Sequence, residues 1–383
     1  MTTSHTPRKN RPVIAIVTDA VHPYSRGGRE VRYHQLSRLL TEYADIHVFT
    51  MRWWNGPRTL SEGHVTLHGV TRVLPFYRGT RRSVTQAVVF ALGCLRLLFR
   101  RFDVLNVDHI PQFQLFTLRI VATLRRKPLI ATWHEVWGPE YWRDYMGGMS
   151  GRLAWWIERV SMRVPDHIIA ASEQTADRIR ELVGDRTPVT VAPNGIDLTE
   201  VEAAAAAPER CDLVVVSRLM QHKRLDMLLE AVALLHAQGH PVTCRIIGDG
   251  PERDALADMA AALGVGHAVE FRYDVTEQKD LYSLLKAGRV FPFPSNREGF
   301  GIAVLEALAC GLPVVTTTAP DNLAVHLVAR SRHGRICAHR TQALAAALLE
   351  ALRDGGEADW VEPWLREYSW EAVADRVREV LLK

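Results

Sequence analysis

Short apolar runs and amphipathic segments alternate along nearly all of this 383-residue chain, and no other feature constrains its fold as strongly. PVIAIVTDAV reads as a buried strand. Glu30 to Tyr43 reads as a helix with Val31, Leu36, Leu39 and Leu40 on its apolar side, and DIHVFTM as the next strand. DVLNVDH and PLIATWHE read as strands flanking an apolar helix, Phe113 to Leu124. DHIIAAS, EQTADRIRELVG and VTVAPNG repeat the pattern. Strands that are apolar along their whole length belong in parallel sheets covered on both faces, and the intervening helices supply the crossovers.

The alternation stops once. LTEVEAAAAAPER, after Asp197, is Ala-rich, ends near a proline and has no strand character, so it marks a domain boundary. Beyond it the pattern restarts: DLVVVSRL as strand, RLDMLLEAVALLHAQG as helix with Gly239 as its C-terminal cap, and TCRIIGDG as strand and turn, with Pro251 opening the next helix. VEFRY, TEQKDLYSLLKAG, VFPFPS, EGFGIAVLEALACG and LPVVTTT continue it, and Glu362 to Lys383 reads as helical. The fold class is α/β, with two doubly wound, Rossmann-like domains at residues 12–198 and 209–360 and a closing segment at 361–383. Ligands of such sheets sit at the carboxyl ends of the strands, and two facing sheets would make a cleft.

Several chemistries are excluded or weakened. Gly248-Asp249-Gly250 has Arg253 where a dinucleotide fingerprint needs its third glycine, and neither a phosphate-binding G-x-x-x-x-G-K-[ST] loop nor a G-x-S-x-G nucleophile elbow occurs. None of the sixteen His residues forms H-E-x-x-H, so no catalytic metal is indicated. The five cysteines include no C-x-x-C and read as reduced, mostly buried thiols of a cytosolic protein. The N-terminus lacks a secretory apolar region. The longest near-apolar stretch, Val84 to Phe99, is interrupted by Gln86 and Arg96 and is shorter than the roughly 20 residues a membrane span needs.

The most informative stretch is PSNREGFGIAVLE, residues 294–306. Gly299 and Gly301 let the backbone approach a ligand, and a helix starting near Gly301 would direct the amides of Phe300, Gly301 and Ile302 at an anion. Were Glu298 and Glu306 on one helix, eight residues would separate them by roughly 12 Å. That is beyond the roughly 5–9.5 Å of a hydrolytic carboxylate pair. Two carboxylates gripping separate hydroxyl-bearing groups, with a phosphate between them, describes a nucleotide-sugar.

This stretch closely resembles the signature of family 4 of the retaining glycosyltransferases, which have the GT-B fold. VVSRLMQHKRLDMLLEA resembles the family's strand–loop–helix with its Arg and Lys, here Arg218 and Lys223. IIGDGP, EALACGLPVV, VAPNGID, SRGGRE, TWHE and YSWEAVADRV resemble further family segments, in the family's order from about residue 13 to 378. The resemblance implies an enzyme in which Arg218 and Lys223 neutralise the donor diphosphate and its developing charge. It implies that Glu298 binds sugar hydroxyls, that Glu306 binds the ribose, and that Gly27 and Gly28 bring amides to phosphates or sugar. His134 is implied to contact donor sugar or acceptor near the reacting carbon. It further implies retention, no metal, no cofactor, and a C-terminal helix returning to the first domain.

Each residue also has a plainer role open to it: surface charge for Arg218 and Lys223, turn formation for Gly27 and Gly28, a satisfied structural imidazole for His134. Trp133, Trp137 and Trp142 could form an acceptor wall or simply pack. The chain departs from the family at Tyr273–Asp274, where a glycine is usual. It departs again at Ala319-Pro320-Asp321-Asn322, in place of Gly-Gly-x-x-Glu, and at Arg29, in place of a small residue.

The formal charge of +4 hides an asymmetry. Residues 1–200 hold 27 Lys/Arg and 18 Asp/Glu, whereas residues 201–383 hold 20 and 25. From Arg72 to Lys127 there are eleven basic and two acidic residues, surrounding the near-apolar stretch. A solvated domain helix would fit, and so would an interfacial helix on an anionic membrane. The expected partners are a nucleotide-sugar donor and a glycan or lipid-linked acceptor, reached from the cytoplasm or the inner membrane face, with nucleic acid disfavoured. A non-catalytic GT-B subunit, an enzyme acting on a soluble acceptor, a sugar-nucleotide epimerase and a phosphorylase are the alternatives.

Overall fold

The computed structural model describes residues 11–25, 27–63, 65–78, 81–355 and 362–383. Arg26 of the SRGGRE loop and residues 356–361, where the second predicted domain ends and the closing segment begins, lie outside the described residues. The chain forms two compact units. One ends at Asn194 and resumes with Trp370–Lys383; the other is Gly195–Ser369.

The first unit is built on β1 (Val13–Val17), β2 (Asp45–Arg52), β3 (Thr59–Glu62), β4 (Val65–Arg72), β5 (Val104–Asp108), β6 (Leu129–Trp133), β7 (His167–Ala170) and β8 (Val189–Val191). Their order is β8-β7-β6-β5-β1-β2-β4-β3, parallel throughout except for the antiparallel β3–β4 pair. All five residues of β1 are buried because its two faces feed different cores. Val13, Ala15 and Val17 pack with Phe90, Leu105 and Leu118; Ile14 and Ile16 pack with Tyr33, Leu36 and Val377. The helices used below are α1 (Gly28–Leu40), α2 (Val84–Gly93), α3 (Phe113–Arg125), α4 (Gly138–Met146) and α5 (Gly148–Ser161).

The second unit holds β9 (Cys211–Val216), β10 (Cys244–Ile247), β11 (Val269–Arg272), β12 (Gly288–Phe293), β13 (Val314–Thr317) and β14 (Arg335–Cys337), in the parallel order β11-β10-β9-β12-β13-β14. Helices α6 (Leu225–Ala237) and α7 (Ile302–Ala309) follow β9 and β12. In both sheets the strand order reverses beside the first strand, at β1/β5 and at β9/β12. Helices leave opposite faces there, so the loops part and expose the strand ends.

Several elements differ from the sequence-based expectation. The Glu362–Lys383 segment is broken. A 3-10 turn, Pro363–Tyr368, stays in the second unit with Leu365 in its core, and α8 (Trp370–Leu381) joins the first. The near-apolar stretch is likewise broken, into α2 and a 3-10 turn, Cys94–Phe99. Pro251 does not open a helix: the next one starts at Arg253, because Glu252 donates its amide to Leu219 and Asp249 accepts from Leu219. The Ala-rich linker holds a short helix, Leu198–Ala203, capped by Asp197. All five cysteines are free, and among the described residues no helix is long and apolar enough to cross a membrane.

Helix α8 covers the β1 face with Val373, Ala374, Val377 and Val380, next to α1. Val377→Asp would bury an unpaired carboxylate there. It should destabilise the first unit by about 3 kcal/mol or more, read as a lowered unfolding midpoint in circular dichroism.

Candidate active site

The predicted donor residues gather at the β9/β12 reversal. Arg218 and Lys223 lie on the loop after β9, and Glu298 lies in a two-residue strand, Arg297–Glu298, after β12. The two loops are bonded to each other: the Asn296 amide donates to the His222 carbonyl (2.8 Å), and Ser295 Oγ donates to the same oxygen (3.3 Å). This brings Lys223 Nζ onto a Glu298 carboxylate oxygen, and the ammonium also lies 5.7 Å from the Phe293 ring centre. Arg218 is exposed and, among the described residues, its guanidinium has no hydrogen-bond or ion-pair partner, whereas its carbonyl accepts from the Met220 amide (2.9 Å) and Ser217 Oγ (3.1 Å). Here a bound cation, a free cation and a carboxylate share one strand end.

Two glycines of the sequence motifs earn their place by close approach. A Cβ on Gly248 (φ +133°) would lie 2.0 Å from the Ser217 carbonyl oxygen, so the IIGDGP turn supports the backbone just before Arg218. Gly301 (φ +96°) starts α7, and a Cβ there would lie 2.6 Å from Ala324 Cβ. The first amides of α7, those of Ile302, Ala303 and Val304, have no intrahelical acceptor and form a donor array directly after Gly301. Phe300 itself is buried against Tyr368. The unusual Ala319–Asn322 segment is not loose. Asp321–Asn322 pairs with Arg297–Glu298, Leu323 donates its amide to the Glu298 carbonyl (2.9 Å), and Asn322 Nδ2 donates to Thr316 Oγ1 (2.9 Å).

Glu306 is on α7 whereas Glu298 is on a strand, so the straight-helix spacing does not apply to the pair. Glu306 accepts from Gln278 Nε2 at 2.7 Å, a partner that the sequence motifs did not single out. Burial pushes its carboxyl up to about 7, and the Gln278 bond opposes this.

Gly27, Gly28 and His134 lie in the other unit, at the β1/β5 reversal, and they frame an ion cluster that the motifs did not reveal. Asp19 and Asp108, at the ends of β1 and β5, are fully buried. Arg29 reaches Asp19 (3.0 Å), Glu30 (3.0 Å) and Asp108 (3.1 Å), and Arg82 also reaches Asp19 (3.1 Å). Burial raises the Asp19 carboxyl against the pull of Arg29 and Arg82. Burial also opposes ionisation of Asp108, but the Arg29 guanidinium and a hydrogen bond with His109 hold it below the ordinary carboxylate range. His134 Nε2 is 3.9 Å from Asp108, and burial holds its imidazole well below its ordinary value, hence neutral. The signal available in sequence was an acid at each strand end. Arg29, noted only as a departure from the family, is the cation that lets both acids be buried.

Asp108, His109 and His134 each offer an atom within 4.8 Å of the others, so these three could hold a metal ion. Arg29 already pairs with the carboxylate, so a divalent ion would sit beside a guanidinium. Trp133 is fully buried and stacks on His109 (4.7 Å), whereas Trp137 and Trp142 pack together and line a cavity between helices.

Comparison with known proteins adds to this geometry. Residues 26–200 match the model of "Glycosyltransferase Family 4", and 199–362 that of "Glycosyl transferases group 1". The lipopolysaccharide core biosynthesis glycosyltransferase LpsE of Rhizobium meliloti is 30% identical over 254 residues, 63% of this chain and 67% of that protein. The chain belongs to glycosyltransferase family 4. The glycogen synthase of Mycobacterium tuberculosis is 29% identical over 361 residues, 90% of this chain and 80% of the relative. Among solved structures, sucrose-phosphate synthase from Thermosynechococcus elongatus superposes with a TM-score of 0.79, at 18% identity, over 97% of this chain and 98% of that one. Anabaena HepE, solved with UDP and glucose, has a TM-score of 0.73 at 19% identity, over 97% and 100%. The fold is therefore GT-B, and this family member is a glycosyltransferase using nucleotide-sugar donors.

The raised Glu306 value has a definite pH consequence. Folding favours the neutral acid, so this contribution to stability is full below the unfolded value near 4.5 and is lost as pH rises through about 7. Glu306→Gln should flatten the fall in stability between those values, measured by urea unfolding at a series of pH values. An unchanged slope would contradict the assignment.

Proposed function

We propose that this enzyme transfers a sugar, with retention of anomeric configuration and without a metal ion or cofactor, from a nucleoside-diphosphate sugar to a lipid-linked acceptor at the cytoplasmic face of a membrane. The observation that carries the donor half is the Lys223–Glu298 pair beside the unpaired Arg218 guanidinium at the β9/β12 reversal. A diphosphate would draw Lys223 away from Glu298 and meet Arg218, the Gly299–Gly301 loop and the first amides of α7. Glu298 would then be released to accept from sugar hydroxyls. Glu306 would accept from the ribose in place of Gln278. HepE, solved with UDP and glucose, supports a uridine donor.

In the transfer, the bond from the anomeric carbon to the phosphate oxygen breaks and the electron pair leaves with the nucleoside diphosphate. The acceptor oxygen bonds to the same face of that carbon, and its proton passes to the leaving phosphate. Fixed cations strengthen as charge grows on that phosphate, which lowers the barrier. Gly27, Gly28 and neutral His134 serve the sugar and acceptor side, where a neutral imidazole can accept or donate a hydrogen bond.

The acceptor half rests on a surface. Val84, Val88, Leu92, Leu95 and Phe99 form one exposed apolar stripe, with Phe99 88% exposed, and Arg81, Arg100, Arg101, Arg125 and Arg126 are exposed on the same and neighbouring elements. Such a stripe suits the headgroup boundary of an anionic bilayer. The name of the LpsE relative points the same way. The glycogen synthase relative favours a soluble glycan acceptor instead.

Three experiments decide these points. Thermal shift across UDP, GDP, ADP and dTDP should single out one nucleotide, since saturation at 100 times its dissociation constant stabilises by about 2.7 kcal/mol. Glu298→Ala should then lower turnover by about a hundred-fold or more without unfolding the chain. Flotation with phosphatidylglycerol-containing vesicles should succeed at low salt and weaken in the Arg100→Glu/Arg101→Glu variant. No flotation at low salt would favour the soluble acceptor.

A further inference from the structure

A cavity of about 270 Å³ opens in the first unit between α2, α4, α5 and the turn that follows β5. Its walls are Ala87, Phe113, Trp137, Trp142, Leu153 and Ile157. The indole nitrogens are already committed, Trp142 to Glu158 (2.7 Å) and Trp137 to Glu135, so the rings add only carbon faces to the lining.

The cavity has two distinct ends. Val84 and Leu153 stand at the outer one, 52% and 58% exposed. Val84 begins the apolar stripe of α2, and Leu153 belongs to a second stripe on α5 with Met149 (76%) and Trp156 (60%). Two exposed apolar stripes therefore converge on one opening, and apolar surface gathered in this way marks an interaction site. At the inner end are Arg82 and Gln86. Both donate to the buried Asp19 carboxylate, at 3.1 and 3.3 Å, and Asp19 shares Arg29 with Asp108. Arg82 and Gln86 thus stand between the cavity and the strand-end cluster at the β1/β5 reversal.

The occupant is indicated by charge as well as by shape. Between Arg72 and Lys127 the two carboxylates are both spent internally, Asp103 on Lys127 (2.9 Å) and Asp108 on Arg29 (3.1 Å). The exposed arginines around the stripe, Arg100, Arg101, Arg125 and Arg126, therefore have no ion-pair partner among the described residues, which fits a phosphate-bearing lipid. We infer that this cavity holds the hydrocarbon chain of the lipid-linked acceptor, with its phosphate-bearing head toward Arg82 and its reacting hydroxyl toward the Asp19–Asp108–His134 cluster. This rests on the lipid-acceptor reading above and adds the site that would select the chain.

Isothermal titration of the full chain with dodecyl phosphate and with butyl phosphate, both kept below micelle-forming concentration, tests it. Dodecyl phosphate should bind one site saturably and at least about 100-fold more tightly than butyl phosphate, because each buried methylene adds affinity. Leu153→Asp places a charge at an exposed position of the mouth, and Ala154→Trp fills the cavity. Either should weaken dodecyl phosphate at least about ten-fold, with the melting midpoint unchanged in Leu153→Asp. No saturable binding, equal affinity for the two phosphates, or full affinity in Leu153→Asp would overturn the assignment. A dimer broken by Leu153→Asp, with no alkyl phosphate bound, would also overturn it, since a second copy would then cover the opening. If dodecyl phosphate binds as expected but vesicles do not float, the cavity assignment stands and the membrane-surface reading falls.

Discussion

The central strands of both sheets are buried on both faces, and this constraint governs where the functional groups sit. A strand such as β1, with alternate residues feeding two cores, has no room for a polar side chain along its length. The charged groups of the candidate sites lie at or just beyond strand ends. Where the strand order reverses the loops diverge, and a ligand can reach those ends. Lys223 and Glu298 meet at one reversal, and Asp19, Asp108 and His134 at the other.

The two ends handle charge differently. At β9/β12 the carboxylate and ammonium are partly exposed and paired with each other, and a second cation is left free. Such a pair is ready to exchange partners with an anion. At β1/β5 the carboxylates are fully buried, and two arginines hold them in place. Removing one partner of a buried set costs far more than removing one of an exposed pair, so the second cluster is rigid where the first is adaptable. Arg29 is the hub of that rigidity, and its position directly after the glycine pair is a property of this chain.

Much of the fold was legible in the sequence because its signals are local. Strand runs, capping residues and the restart after Asp197 all depend on near neighbours in the chain. The family motifs pointed to Arg218, Lys223, Glu298 and Glu306 in the same way. What escaped were the long-range pairings. Gln278 approaches Glu306 from 28 residues away, and Arg82 approaches Asp19 from 63. The break of the last helix at Ser369 also escaped, since it reflects Leu365 finding the second core while Val373 finds the first.

The sequence by itself therefore determined the α/β class, the two-part organisation and the chemical types at the β9/β12 strand ends, because periodicity and glycine spacing record backbone requirements directly. Only the tertiary structure decided that the Arg29 departure is the counter-charge for two buried acids. It also decided that the near-apolar stretch divides at Gly93, with one side in the core and the other exposed, and that the tryptophans after β6 line a cavity. Those outcomes depend on which elements the sheet order brings side by side, and adjacency of that kind arises only once non-neighbouring segments share a core.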